Sequence, residues 1–486
     1  MNTLYYLALL QGVIFCYRFI CAQGDKRMAE RAAFGVLVDA FSNYVRTTRR
    51  GCEVNPSFAK GRNLITDGID MIGSTSPVDC ILGVKVLYTA IFQAESKMRD
   101  TSKQCVLMKH LVLSASSSTR ILQKLLEMLH SRGLHGRETR HQAAKIVGHL
   151  AFNISLEQFP QGIQHISSLI GTFGEYSRAE PYQRDCILEV FEHHRDAHSL
   201  LPSPETYIKL QRDYKTLLLR GQHIIWRLAS DENNCRVISC TADLVSKIMA
   251  PVCSDLLDHT TDDHGAWSDI VEGSLAVMSQ LTSAAGETGA KLRHEISSCK
   301  EAISTMVGIL ECDKCNEKLQ RSAIWILTQL YMDAELGKED FVAMLVDMFT
   351  HDSKPPISVR AYAGGTLSVL CFHGGISCAT VVIQTSDDVV HNLTKLLVDE
   401  KNMACRQAAA EILEHLCTHY TKDDERLGQL KEAMRDAMPK VIGAILGAGA
   451  QTYIEEKTQE DMFAKPTTEL QEKLDEIEWK KGVPGY

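Results

Sequence analysis

The chain is poor in the residues that build sheets, disulfide frameworks and nucleic-acid surfaces. Its 486 residues include only 12 prolines, and few β-branched runs alternate, which argues against a large sheet. Sixteen cysteines are too sparse for a disulfide scaffold. Several of them, Cys80, Cys186, Cys371 and Cys417, sit inside apolar stretches, as free thiols of a reducing compartment do. The net charge is −9 with no broad basic surface to offset it, which argues against a nucleic-acid partner. Aromatic content is 7%, against 45% hydrophobic and 23% charged residues, the profile of a helical chain rich in Leu and Ala. The length suits two or three ordinary domains or one long solenoid.

Chemical motifs are missing as well. The chain has no nucleophile elbow, no dinucleotide-binding fingerprint and no calcium loop. Three fragments come near a motif and fall short. Ala285–Lys291 has part of a phosphate-binding loop, but Leu292 stands where a hydroxyl residue would reach magnesium and no strand precedes it. It aligns instead with Asp231–Arg236 as a turn between helices. Cys312-Asp-Lys-Cys315 has zinc or redox spacing, yet no second Cys or His pair lies nearby to complete four ligands, and a solvent-side loop is expected. His194 and His198 share a helical face, but Arg195 replaces the glutamate of a metalloprotease helix. No catalytic residue, cofactor or metal is therefore expected.

What is present is a repeat. Ten-residue stretches ending at Leu150, Leu330, Leu370 and Leu416 superimpose, and weaker copies end at Leu228 and Leu281. From Leu228 onward the terminal leucines are 53, 49, 40 and 46 residues apart. Each clear copy opens on small residues: Ala143 and Ala144, Ala323, Ala363 and Gly364, Ala409 and Ala410. Apolar residues follow, Ile146 and Val147, Ile326 and Leu327, Leu367, Ile412 and Leu413, before the closing leucine. Small residue, apolar residue four later and leucine three after that form one stripe of a helix with 3.6 residues per turn. The small positions admit a neighbouring helix and the leucines fill the space between units. A self-similar helix returning every 40 to 50 residues predicts an all-α fold, a right-handed α-α superhelix of the HEAT or armadillo kind.

The layout predicts four parts. Residues 1–23 hold an apolar segment, 4–22, interrupted by Gln11 and Arg18. A secretory signal peptide would need a basic residue before its apolar run, and none precedes Leu4. A membrane-spanning helix with Arg18 snorkelling at its end, or an amphipathic helix docked on the repeats, suits the residues better. Lys26, Arg27, Arg31, Arg46, Arg49 and Arg50 all follow the segment, so a spanning helix would leave the repeats in the cytosol. The expected location is membrane-associated with a cytoplasmic repeat domain, or else simply cytoplasmic. Two glycosylation sequons, at Asn153 and Asn392, fall in or beside repeat helices and read as coincidence. Residues 24–75 form a helical linker, with one helix near Lys26–Thr47 and turns around Asn55-Pro56-Ser57. Repeats occupy 76–450, opening at Ser76-Pro77 with Cys80, Ile81, Val84 and Leu87 on one stripe, and irregular between Phe173 and Leu218. Residues 451–486 are a polar tail or cap, with Thr468 and Gln471 as a capping box.

Trp226–Ile238, followed by the apolar Leu244–Met249, resembles the third helix, turn and next helices of an armadillo repeat. Gln320–Leu330 resembles the third helix of the importin-alpha type. An apolar segment ahead of such repeats is also similar in layout to a plant family of armadillo-type membrane proteins. The resemblance implies that third helices line a concave groove for a protein or peptide. The aligned groove positions then include His149, His223, Arg227, Trp325, Gln329 and His415. Import adaptors carry tryptophan and asparagine four apart on successive third helices, whereas the matching pairs here hold one tryptophan, Trp325, and no asparagine. The expected function is a non-catalytic interaction scaffold rather than an import adaptor. The alternative is an enzyme or nucleotide-binding protein built on helical repeats, with His193, His194 or the paired cysteines in a closed pocket.

Overall fold

A computed structural model of the chain describes residues 28–60, 62–92, 118–130, 136–171, 173, 204–254, 268–333, 338–350, 355–385, 388–399, 401–419 and 435. Among these residues every regular element is a helix. In chain order they are α1 Met28–Val54, α2 Leu64–Gly73, α3 Pro77–Phe92, α4 Ser118–Glu127, α5 Arg137–Leu150, α6 Gly162–Ile170, α7 Pro204–Leu228, α8 Glu232–Cys240 and α9 Leu244–Met249. Then follow α10 Ser268–Thr282, α11 Gly286–Ser297, α12 Lys300–Glu311, α13 Glu317–Asp333, α14 Lys338–Thr350, α15 Ile357–Thr385, α16 Val389–Asp399 and α17 Met403–His419. The chain divides into two units whose main boundary falls after Ala302.

Each unit is a row of long helices backed by shorter ones. In the first unit α3, α5, α7 and α10 pack in succession, with α2, α4, α6 and α9 behind them. In the second, α13, α15 and α17 form the row, backed by α14 and α16. This is the packing of a helical-repeat solenoid, in which each pair buries its apolar stripe only against its neighbours. All six repeat leucines lie on row helices. Leu150, Leu228, Leu281, Leu330 and Leu416 are buried there, and Leu370 is half-buried. The small positions behave as their size demands: Ala143, Ala144, Ala323, Ala363 and Ala409 are fully enclosed. Glycine serves the same end where α2 meets α3. A Cβ on Gly83 would stand 2.6 Å from the carbonyl oxygen of Gly68, so the backbones nearly touch.

A second device joins the helices, at the residue just before the repeated stripe. Arg140 Nε donates to Leu129 O at 3.1 Å, Gln320 Nε2 to Cys312 O at 3.1 Å, and Arg406 Nε to Leu397 O at 3.3 Å. Each accepting carbonyl lies at or just past the end of the preceding helix. Helix C-termini leave carbonyls without an intrahelical donor, so one side chain there satisfies a group that burial would otherwise strand. Arg360 holds the equivalent position ahead of the Leu370 copy and is also buried.

Two local expectations change, and one helix proves long. Asp231–Arg236 is not merely a turn. Asp231 Oδ1 accepts from Asn234 N at 2.9 Å as an N-cap, and α8 begins at Glu232. Ala285–Lys291 likewise opens a helix, α11, with Gly286 at φ +64° making the entry. The helix that holds Leu370 continues to Thr385 through Gly374 and Gly375, making α15 a 29-residue element. Within the stretch expected as a linker, α1 extends to Val54 and α2 packs against α3. Asn63 and Thr66 form a reciprocal capping box at the start of α2, with bonds of 2.9 and 2.8 Å. Arg62, over the Phe58 ring at 4.5 Å, pairs with Asp67 at 2.5 Å. Burial raises the Asp67 carboxyl, opposing the arginine.

No helix among the described residues is long and apolar enough to cross a membrane. Residues 4–22, the Phe173–Leu218 irregularity up to Ser203 (apart from Phe173), His193, His194, His198 and the tail 451–486 lie outside the described residues.

Candidate functional site

The open side of each helix row is what remains after the apolar stripe is spent on packing. On α5 the residues Gln142, Ala143, Ala144, Ile146, Val147 and Gly148 are buried, whereas Arg137 is exposed and His141, Lys145 and His149 are half-buried. These four recur at intervals of four, so they lie along one side of the helix. On α7, Arg220 and His223 are half-buried between enclosed neighbours. The row sets α5 beside α7, and backbone contact draws them close. A Cβ on Gly148 would be 3.3 Å from His223 Cδ2.

His149 and His223, expected from their alignment to share a groove, therefore sit on adjacent helices of one row. His149 is one of the charges acting on His223. Arg227 is close by but differently engaged. It is 7% exposed, Nη1 donates to Gly148 O at 3.0 Å, and its guanidinium lies 5.0 Å over the Phe152 ring. Trp226, also buried, stacks on the His223 ring at 6.0 Å. Burial pushes the His223 imidazole well below its usual range, and Arg227, Arg220, His149 and Lys145 push the same way. His141 falls to about 3 for the same reasons: burial first, then Arg220 and Lys145. Both rings are neutral at physiological pH.

The second unit gives Trp325, Gln329 and His415 a different setting. Trp325 and Gln329 lie one turn apart on α13 and are half-buried. His415, on α17, meets the edge of Phe372 from α15 with ring centres 5.5 Å apart. Phe372 is 65% exposed, unusual for a large apolar side chain. Beside it Ser368 Oγ donates to Glu411 at 2.6 Å, and Arg321 lies 5.1 Å over the Tyr362 ring. Burial raises that tyrosine to about 12. Alignment missed Tyr88, His141, Arg220 and Phe372. The four-residue interval from Arg137 to His149 was the available signal for the first unit. Phe372 had none, because its exposure depends on where α17 passes.

The near-motifs acquire structural settings. Cys312 and Cys315 lie in the turn between α12 and α13. Cys312 is half-exposed, but Cys315 is buried, so the loop does not simply face solvent. Burial, then Cys312, pushes the Cys315 thiol up to about 12. Among the described residues no group of three metal-ligating side chains converges.

No protein-family model and no curated protein sequence matches the chain. Among solved structures, an engineered protein, Northeast Structural Genomics Consortium target OR329, is similar over 61% of this chain and 97% of its own, at 14% identity and TM-score 0.39. The UNC-45 chaperone, in a structure concerned with binding and folding muscle myosin, is similar over 78% of this chain and 51% of its own, at 11% identity and TM-score 0.27. Kap121p bound to Ste12p is similar over 81% and 44%, at 10% identity and TM-score 0.24. The chain thus spans about half the length of the last two. Likeness at these scores carries no argument; the helical-repeat class rests on the packing of the chain's own helices.

Proposed function

We propose that this protein is a non-catalytic interaction scaffold of armadillo type, whose row helices hold an extended protein segment on their open faces. The observation that supports it is the register of the first row. Side chains at matching repeat positions, Lys145 on α5 and His223 on α7, lie within electrostatic reach of one another on adjacent helices. A repeated register gives a linear ligand equivalent footholds at successive helices, whereas a catalytic centre needs one converging cluster. In the second unit the half-buried Trp325 and the exposed Phe372 are the aromatic side chains a ligand would cover. Residues 4–22 tether the scaffold to a membrane with the repeats in the cytosol, a reading supported by the basic residues that follow them.

The test uses the full chain against an array of tiled 15-residue peptides, with hydrogen exchange on the best binders. Protection should fall on α5, α7, α13 and α15, and Trp325→Ala should weaken peptides that protect α13 by about 2 kcal/mol or more. Protection confined to α2, α4 or α8 would overturn the groove assignment. Fractionation checks the tether: the intact chain should pellet with membranes and a chain lacking residues 1–23 should not.

A further inference from the structure

Two thiols of the first unit stand close enough to react with each other. Cys253 Sγ and Cys299 Sγ are 3.2 Å apart, and both residues are half-buried. They are 46 positions apart in the chain and belong to different helix pairs of that unit. Cys253 follows α9, where its N–H donates to Met249 O at 3.0 Å and prolongs the last turn. Cys299 stands between α11 and α12, and its N–H donates to Ile296 O at 3.2 Å. The packing of α9 against α11 brings the two together.

A disulfide holds its sulfurs about 2.05 Å apart, so the gap to close is about 1.2 Å. Both cysteines lie past helix ends, where side-chain rotation closes that gap without unwinding a helix. Another close pair, Cys371 and Cys378, differs on each count. Its sulfurs are 3.4 Å apart, but both residues are buried and both belong to α15. Seven residues of straight helix rise about 10.5 Å, whereas a disulfide spans about 7 Å at most between Cα atoms, so a bond there would distort α15.

The two thiols of the first pair are not equivalent. Burial pushes the Cys253 thiol up to about 12, aided by its hydrogen bond with Cys299 and the nearby Cys299 and Glu301 charges. Cys253 therefore keeps its proton. Cys299 lies between the exposed Ser298 and Lys300, and its thiol donates to Glu301 Oε2 at 3.5 Å. The Glu301 carboxylate is thus in place to take the proton that Cys299 loses.

We infer that Cys253 and Cys299 form a reversible disulfide on exposure to a hydroperoxide, locking the end of α9 to the turn between α11 and α12. Cys299 passes its proton to Glu301, and its sulfur attacks a peroxide oxygen. The O–O bond breaks, Cys299 becomes a sulfenic acid, and the departing oxygen takes the proton from Glu301. Cys253 sulfur then attacks Cys299 sulfur. The S–O bond breaks, and hydroxide leaves as water with the Cys253 proton. The two thiols together give up two electrons, and the peroxide gains them. In a row of repeats each pair is held only by its neighbours, so a bond across one joint suppresses local opening there. The bond is independent of any ligand on the open faces.

The test treats the reduced full chain with hydrogen peroxide, alkylates the remaining thiols and maps linked peptides by mass spectrometry. The Cys253–Cys299 link should form at least about tenfold faster than any other, and dithiothreitol should remove it. Dimedone should label Cys299 in the Cys253→Ser variant and leave Cys253 unlabelled in Cys299→Ser. Hydrogen exchange at the end of α9 and in the turn after α11 should slow at least about fivefold in the oxidised parent, and not in either variant. The peptide map of the parent decides the link even where a variant fails to fold. Earlier linkage of Cys312 with Cys315, or of Cys371 with Cys378, would overturn the proposal. So would oxidation of Cys299 to a sulfinic acid without a link. Dimedone on Cys253 would overturn the order of attack, and unchanged exchange in the linked chain would overturn the lock.

Discussion

Arg140 reaches back from the start of α5 and donates through Nε to the carbonyl oxygen of Leu129, 3.1 Å away and just past the end of α4. The same position in two later copies, Gln320 and Arg406, does the same for Cys312 and Leu397. The repeat therefore has a polar clasp as well as an apolar stripe. Replacing Arg140 by leucine leaves that carbonyl only the longer bond from Ser168 Oγ, at 3.3 Å, and should cost about 1–3 kcal/mol in urea melts. A neutral result would show that Ser168 suffices for the carbonyl and that the clasp is incidental.

Asn234 makes a fully enclosed polar contact in the first unit. It is 1% exposed, donates through Nδ2 to Ile154 O at 2.8 Å and accepts at Oδ1 from Leu156 N at 2.8 Å. One amide thus satisfies both backbone groups of a segment roughly eighty residues earlier in the chain. Asn234→Ala leaves both unpaired and should cost about 2–4 kcal/mol. Asn234→Asp, which can accept but not donate, should also be destabilised at neutral pH. Chemical denaturation of the two variants beside the parent checks both, and an unaffected aspartate variant would refute the donor role.

Ala409 and Leu416 test the repeat stripe itself. Both are fully enclosed on α17. Ala409→Leu adds volume where there is none and should cost about 1–3 kcal/mol. Leu416→Ala opens a cavity and should cost about 2–5 kcal/mol. Urea melts in which neither change shifts the midpoint would mean that α17 does not pack as a repeat helix.

The histidines predict acid sensitivity. His141 in the folded chain takes a proton only near pH 3, whereas the unfolded chain takes one near 6.5. The unfolded state therefore binds more protons between those values. Stability is complete above about 6.5 and falls as the pH drops toward 3, and His223 adds to the loss in the same direction. His141→Gln should recover about 1–2 kcal/mol of the stability lost between pH 7.5 and pH 5. Parallel pH profiles for parent and variant would contradict this.

The row helices were legible in the sequence because their signal is local. A small residue, an apolar residue four later and a leucine three after that describe one helix stripe whatever surrounds it, and all six terminal leucines lie on row helices. The turn at Asp231–Arg236 was legible only in part. The capping aspartate is a local cue, but the helix after it is tied down by Asn234, whose partners Ile154 and Leu156 lie far back in the chain. The side chains between α5 and α7 show the same division. The interval of four from Arg137 to His149 is written in the sequence and places those residues on one side of a helix. That Arg220 and His223 stand beside them depends on α7 packing against α5, with more than fifty residues between the two helices. Helical periodicity decides which side chains share a face of one helix; only tertiary packing decides which helices lie together, because burial of the apolar stripes selects neighbours by shape and not by order in the chain.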